Sequence, residues 1–281
     1  MTDGVLLVDK PAGITSHDAI DVVRRTLGIR KVGHAGTLDP MASGLLVIGV
    51  GRATRLLRFL GNLDKEYEGA ARLGEETDTL DAEGEVVRTA PVDSSEDDVR
   101  AAMAGMVGTF SQRPPAYSAV KVEGRRLYKA ARQGKPVEGE PRTVRVDAFD
   151  LLAFDGRDVE FRVVCGGGTY VRSLAAEVGT RLGCGAHLTR LVRTRTGPFL
   201  LRDAAPPDQV DGPLPIERAV DHLPRMELTD DEAEAARHGR PLGPPGGPGF
   251  HAAFDPAGRL VGVYRDCGTR ACPEVVIPSQ V

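Results

Sequence analysis

The chain has 281 residues, enough for one large domain and a small one, and its 41% hydrophobic content excludes global disorder. No apolar run reaches the length of a membrane-spanning helix. The net charge of -4 argues against a nucleic-acid binder only until it is resolved along the chain: residues 101–202 carry 17 Lys+Arg against 9 Asp+Glu, between acidic segments at 61–100 and 203–281.

In chain order, acidic Asp3 leads into Val5-Leu6-Leu7-Val8, which reads as a buried strand. The basic stretch and cleavage pattern of a signal peptide are missing, and the four cysteines lack CxxC spacing, so a reducing cytoplasm with free thiols is expected. Ser16 is placed to cap a helix with Ile20, Val23 and Leu27 on one face, closed by Gly28. Leu45 to Val50 reads as a second buried strand, followed by a helix near 52–60, and Lys65 to Leu73 is strand-like. Ser94 or Ser95 forms a capping box with Asp97 or Asp98, opening a helix towards Met106.

Residues 111–135 combine Pro114, Pro115, Tyr117 and Tyr128 with Arg113, Lys121, Arg125, Arg126, Lys129, Arg132 and Lys135. The pattern predicts a loop with a short helix over 127–133, basic for phosphates and aromatic for stacking, as a contact with folded RNA requires. Val144 to Ala153 and Val159 to Cys165 read as paired strands turning at Asp155-Gly156. Gly166-Gly167-Gly168 breaks the pattern before a helix over 170–182 and a strand over 186–196. Residues 203–216, rich in Asp and Pro, read as a linker. Thr229 and Glu232 cap a last helix ending at Gly239, and strands at 250–254 and 260–264 suggest a small β appendage.

No P-loop, HExxH or GxSxG motif occurs, and Gly49-Val50-Gly51 is followed by Thr54 where a dinucleotide fingerprint needs glycine. Neither a cofactor nor a metal is announced. Three segments stand out. Gly33-His34-Ala35-Gly36-Thr37-Leu38-Asp39-Pro40-Met41-Ala42-Ser43-Gly44 is a tight loop entering a buried strand. Lys65-Glu66-Tyr67 is followed by Leu73-Gly74-Glu75-Glu76-Thr77-Asp78-Thr79-Leu80-Asp81. Gly168-Thr169-Tyr170-Val171-Arg172 continues to Ala186-His187-Leu188-Thr189-Arg190-Leu191. Alone, an Asp-Pro step builds turns more often than it does chemistry. A carboxylate on such a loop can nevertheless act as nucleophile or base without a metal.

Together and in this order, the segments resemble the TruB family of bacterial tRNA pseudouridine synthases, over about Gly4 to Phe199. Gly166 stands where that family often has Ser, and Val192 where it often has Arg. The resemblance implies a mixed α/β fold of α+β type, the pseudouridine synthase fold, whose largely antiparallel central sheet is flanked by helices. The catalytic domain would span 1–205 with an RNA-gripping insert at about 111–135. A linker over 206–225 and a PUA-like RNA-binding β-domain over 226–281 would follow. Removing 226–281 is expected to weaken RNA binding and leave the chemistry intact.

The implied activity is conversion of uridine 55 in the T-loop of tRNA to pseudouridine on a flipped-out base, with no cofactor. Asp39 would be the essential carboxylate, by sugar attack, base attack or removal of a sugar proton. Arg172 would hold it through a bidentate contact and keep it ionised. Tyr67 would stack on the base with its hydroxyl near C5, and Tyr170 and Leu191 would wall the pocket. His34 would fill the space the base leaves or hold the flipped loop, Lys10 would support the Asp39 loop at the substrate site, and Arg125 and Lys129 would grip the T-arm. The implied partner is tRNA alone, bound by a monomer. The rival expectations are an RNA-folding chaperone and a synthase for another RNA.

Overall fold

The computed structural model describes residues 3–115, 117, 121–122, 125–126 and 139–278. Its first strand, β1 (Gly4–Lys10), buries Val5, Leu6 and Val8, and leads through helix α1 (Ser16–Leu27) and β2 (Val32–His34) into β3 (Ser43–Val50). Every residue of β3 from Gly44 onward is buried, as the apolar run predicts for a strand covered on both faces. Helix α1 ends at Gly28 in the left-handed region, φ 64°, but its cap is Thr15 rather than Ser16. Thr15 forms a capping box with Asp18, which releases the Ser16 side chain for another use.

A 3-10 turn over Gly51–Leu56 and helix α2 (Leu57–Gly61) precede β4 (Lys65–Leu73), which alternates buried and exposed residues. The hairpin of Glu75–Thr77 with Val86–Thr89 then leads to α3 (Glu96–Ala104), capped by Ser95 with Asp98. Strands β5 (Gly108–Gln112), β6 (Arg142–Phe154) and β7 (Asp158–Cys165) follow, then α4 (Val171–Arg181) and β8 (Ala186–Thr196). Between β5 and β6, Lys121–Val122 pairs with Arg125–Arg126. The expected helix over 127–133 and Lys129 lie outside the described residues, as does the side chain of Arg125.

Among the described residues the main sheet has ten strands, with β1, β3, β8, β4, β7, β6 and β5 adjacent in that order, Leu214–Pro215 beyond β1, and β2 and Phe199–Leu200 at the sides. The pairings are antiparallel except β3 with β8, which run parallel at Val192↔Ser43 and Arg193↔Gly44. This is the largely antiparallel mixed α/β architecture that the sequence implies. The parallel junction sets the loop before β3 beside the middle of β8, and the site forms there.

The C-terminal strands β9 (Arg225–Glu227), β10 (Phe250–Phe254), β11 (Leu260–Asp266) and β12 (Ala271–Val276) form a second sheet, with α5 (Asp230–Arg237) between the first two. It is no loose appendage. Ala252, Phe254, Leu260, Val263, Val275 and Ile277 share one buried cluster with Val5, Leu45, Val47, Phe59 and Phe199 of the main body. Arg55 Nη1 donates to Val276 O at 2.7 Å, and Arg58 pairs with Glu274. One buried core therefore serves both sheets.

The expected linker is packed as well. Leu214 pairs with Val5, Asp9 N donates to Ala205 O at 2.9 Å, and Ala219 and Val220 are fully buried. Cys267 and Cys272 are disulfide-bonded, against the expectation of four free thiols. The register Asp266↔Ala271 folds the β11–β12 turn back on itself and brings the two cysteines together, which spacing alone did not reveal. Cys165 and Cys184 are buried free thiols. No helix among the described residues is long and apolar enough to cross a membrane.

Candidate active site

The Asp39 loop joins β2 to β3 and is clamped from two directions. Ser16, 2% exposed, donates through Oγ to Leu38 O at 3.0 Å and accepts from Leu38 N at 2.9 Å. Below, Gly13 N donates to Pro40 O at 2.8 Å. Lys10 Nζ donates to Ile14 O at 2.7 Å, to Pro11 O at 2.9 Å and, more weakly, to Pro40 O at 3.4 Å. Lys10, expected to support the Asp39 loop at the substrate site, is fully buried beside that loop and does not line the cleft onto which Asp39 opens. Burial pushes its pKa down to about 8, with Asp39 and Glu83 opposing that shift. Gly44, at φ 96°, is the second residue of β3, where a Cβ would stand 2.5 Å from Arg193 O, so only glycine fits.

Arg172 emerges from the first turn of α4, almost wholly buried. The chain entering that helix is fixed by Gln112, whose Oε1 accepts from Tyr170 N at 2.8 Å and whose Nε2 donates to Tyr170 O at 3.1 Å. Arg172 Nε lies 2.9 Å from Asp39 Oδ2. The contact is not bidentate. Arg172 Nη1 donates to Asp81 Oδ2 at 3.0 Å and to Thr79 O at 2.9 Å, and Nη2 donates to Tyr117 O at 3.0 Å. The guanidinium thus divides itself between two carboxylates and ties the start of the basic insert to the site.

Asp81 is held in turn by Thr79 Oγ1 at 2.6 Å and by Glu83 N at 3.1 Å. Burial raises the Asp39 pKa above the ordinary carboxylate range, and Asp81 adds to the rise, while Arg172 and Lys10 oppose it. Arg172 thus acts in the expected direction, favouring the ionised carboxylate, but the net shift is upward. The cause is desolvation together with the second carboxylate. Glu83 is raised likewise, by burial and by the charges of Asp81 and Asp39.

Asp39 and Arg172 open onto a cleft of about 230 Å³, lined also by Tyr67, Tyr170, Leu191, Lys65 and Arg193. The sheet places Tyr67 of β4 in register with Arg193 of β8. Burial pushes the Tyr67 phenol further up, with Arg193 opposing, so the hydroxyl is a proton donor rather than a base at neutral pH. The Asp39 carboxylate is 34% exposed, so a ligand in the cleft can reach it.

Asp39, Tyr67, Tyr170, Arg172 and Leu191 are thus brought together from four segments. His34 is not: it sits on β2 away from the cleft lining, with a buried Nδ1 that lacks a partner among the described residues. Burial, with Arg193 nearby, lowers its pKa and keeps it neutral. Sequence reasoning gave no role at the site to Asp81, Lys65, Arg193 or Gln112, and gave Ser16 only a helix cap. Asp81 and Lys65 stand within the quoted motifs, and that position was the available signal.

Residues 24–171 match the family model TruB family pseudouridylate synthase (N terminal domain), and 223–278 match tRNA Pseudouridine synthase II, C terminal. The second match covers the region where a PUA-like domain is expected. A tRNA pseudouridine synthase B of Mycobacterium sp. (strain KMS) is 48% identical over 98% of this chain and 96% of that relative. Another, from Thermobifida fusca, is 45% identical over 98% and 99%. One from Opitutus terrae is 53% identical over 78% and 92%. Among solved structures, that of a Cbf5-Nop10-Gar1 complex aligns with TM-score 0.77 at 30% identity, covering 98% of this chain and 85% of that one. An H/ACA RNP bound to a substrate RNA containing 2′-deoxyuridine aligns with TM-score 0.74 at 27% identity, over 98% and 85%.

Proposed function

The chain belongs to the TruB family of pseudouridylate synthases, and we propose that it isomerises uridine 55 in the T-loop of tRNA, with Asp39 as the essential carboxylate. One observation carries the residue assignment: a partly exposed carboxylate at the mouth of a base-sized cleft, held at 2.9 Å by a buried arginine and flanked by two tyrosines. A base within a folded loop must leave its stack to enter such a cleft. Tyr67 and Tyr170 offer it stacking surfaces, and Leu191 an apolar wall. Arg172 orients Asp39, and Asp81 orients Arg172.

Arg125 and Lys129 of the basic insert grip the T-arm phosphates, which makes binding salt-dependent. The protein works in the cytoplasm as a monomer without an obligate protein partner. The relatives named for tRNA favour tRNA as the RNA. The likeness to an H/ACA RNP supports a second reading, a synthase acting on another RNA.

The test is carbodiimide modification and primer extension on an unmodified T-arm transcript, with protein and no added cofactor. A new stop at the T-loop uridine, absent with Asp39→Asn, is the expected result. Appreciable activity in Asp39→Asn refutes the role of Asp39. Tight binding without a stop points to a chaperone or a different RNA.

A further inference from the structure

Lys65 and Arg193 stand outside the Asp39–Arg172–Asp81 network, yet both line the same cleft. They are 5% and 1% exposed. Neither forms an ion pair among the described residues; their hydrogen bonds run to backbone carbonyls and, for Arg193, to the Tyr67 side chain as well. Lys65 Nζ donates to Gly61 O at 2.8 Å and Leu63 O at 2.7 Å. Arg193 Nε donates to Leu45 O at 2.7 Å, and Nη2 to Gly36 O at 3.2 Å. Carbonyls orient a cation without neutralising it. Gly36 closes over both, since a Cβ there would lie 3.5 Å from Lys65 Cε and 3.7 Å from Arg193 Nη1.

Of the surrounding carboxylates, Asp64 opposes the effect of burial on Lys65 but is itself paired elsewhere. Asp64 is held by Arg145 at 2.6 Å. Cys165, in register with Lys65, is a buried thiol pushed up to about 11, and Tyr67, beside Arg193, is a protonated phenol. His34 and Lys10 also face Arg193 and are at most positive. Two buried cations without a counter-ion are costly to keep, and the Lys65 pKa is accordingly lowered to about 8 by burial and by Arg193.

The reaction itself brings a counter-charge, and here the argument rests on the isomerase reading. The C1′–N1 bond breaks with its electron pair left on the uracil. The C1′–C5 bond forms from electrons of the ring. C5 then loses its proton and N1 gains one, so nothing is consumed. Whether Asp39 attacks the sugar, removes a sugar proton or adds to the base, the pyrimidine carries negative charge between the first step and the last. We propose that Lys65 and Arg193 form a cationic floor beneath the uracil site that stabilises this negative ring, Arg193 acting through the Tyr67 hydroxyl. Fixed charges in a desolvated cleft suit this role because they need no rearrangement as the charge develops.

The test compares the parent with Lys65→Met, Arg193→Met and Lys65→Arg in single-turnover assays. T-arm RNA carries either uridine or 5-fluorouridine at the target, the fluorine making the ring a better anion. Loss of the original nucleoside is followed in digests, and RNA affinity is measured separately. The Met variants are expected to lose about a hundredfold in rate at unchanged affinity, and to recover much of that loss on fluorouridine RNA. The parent rate should fall as pH rises through about 8, and Lys65→Arg should move that fall to higher pH. Parent-like rates in the Met variants overturn the proposal. So does an equal deficit on both RNAs, which would make the two cations loop supports only. If the Met variants fail to melt cooperatively, the pH profiles decide, and an alkaline limb unmoved in Lys65→Arg overturns it. A parent inactive on uridine RNA sinks the isomerase reading itself.

Discussion

Arg172 and Arg193 both line one cleft, both nearly inaccessible to water, in opposite electrostatic circumstances. Arg172 has two carboxylates, Asp39 and Asp81, within 3.0 Å. Arg193 has carbonyl oxygens and, among the described residues, no carboxylate. The first belongs to a neutralised network that fixes where Asp39 points. The second belongs to an unneutralised positive patch in the lining of the same cleft. Burial of charge therefore serves geometry at one arginine and electrostatics at the other, and substitution should separate the two.

The largest expected difference is in stability. Arg172→Met leaves Asp39 and Asp81 facing each other without a cation and should cost about 3–5 kcal/mol. Arg193→Met removes a charge that lacked a partner. It orphans two carbonyls and should cost only about 1–3 kcal/mol. Urea denaturation of both variants checks this, and equal losses would break the contrast.

Next in size is Asp81→Asn. It frees Arg172 for Asp39 alone and removes the negative charge that raises the Asp39 pKa. The acid limb of the single-turnover rate should move to lower pH, while the rate on its plateau falls about tenfold as Arg172 loses its second anchor. An acid limb that stays in place would show that Asp81 does not act on Asp39.

In the proposed reaction Asp39 acts as the carboxylate, and its pKa is raised by burial. Activity should therefore decline on acidification at a pH above the ordinary aspartate value of about 4. A decline only at or below that value would contradict the raised pKa. The smallest effect is expected for Ser16→Ala, which cuts both contacts to Leu38. It should lower stability by about 1 kcal/mol and affect the Asp39 side of the cleft more than the Arg193 side. Thermal melts and the two pH limbs together would show this.

Several of these features were legible in the sequence, for local reasons. The strand over 65–73, the strand over 186–196 and the Ser95–Asp98 capping box depend on periodicity and on neighbours a few residues apart, and they stand where expected. The cap of α1 was misjudged by one residue, since Thr15 and Ser16 have the same capping chemistry. Only the packed loop shows that Ser16 serves Leu38. The 203–216 stretch looked like a linker because Pro and Asp favour turns. Its pairing with β1 is a contact across some two hundred residues that composition does not encode.

By itself, the sequence determined the order and type of most elements, the largely antiparallel architecture through its resemblance, and the identity of Asp39, Tyr67, Tyr170, Arg172 and Leu191 as candidates. Those are properties of short segments and of motif order. Tertiary structure alone decided that Arg172 is shared with Asp81 and that the C-terminal sheet shares the main core. It alone left Lys65 and Arg193 as cations without carboxylate partners among the described residues. The physical reason is the same in each case. Whether a charge is neutralised or a face is covered depends on which distant groups the sheet register brings within a few ångströms, and on how much water that packing removes.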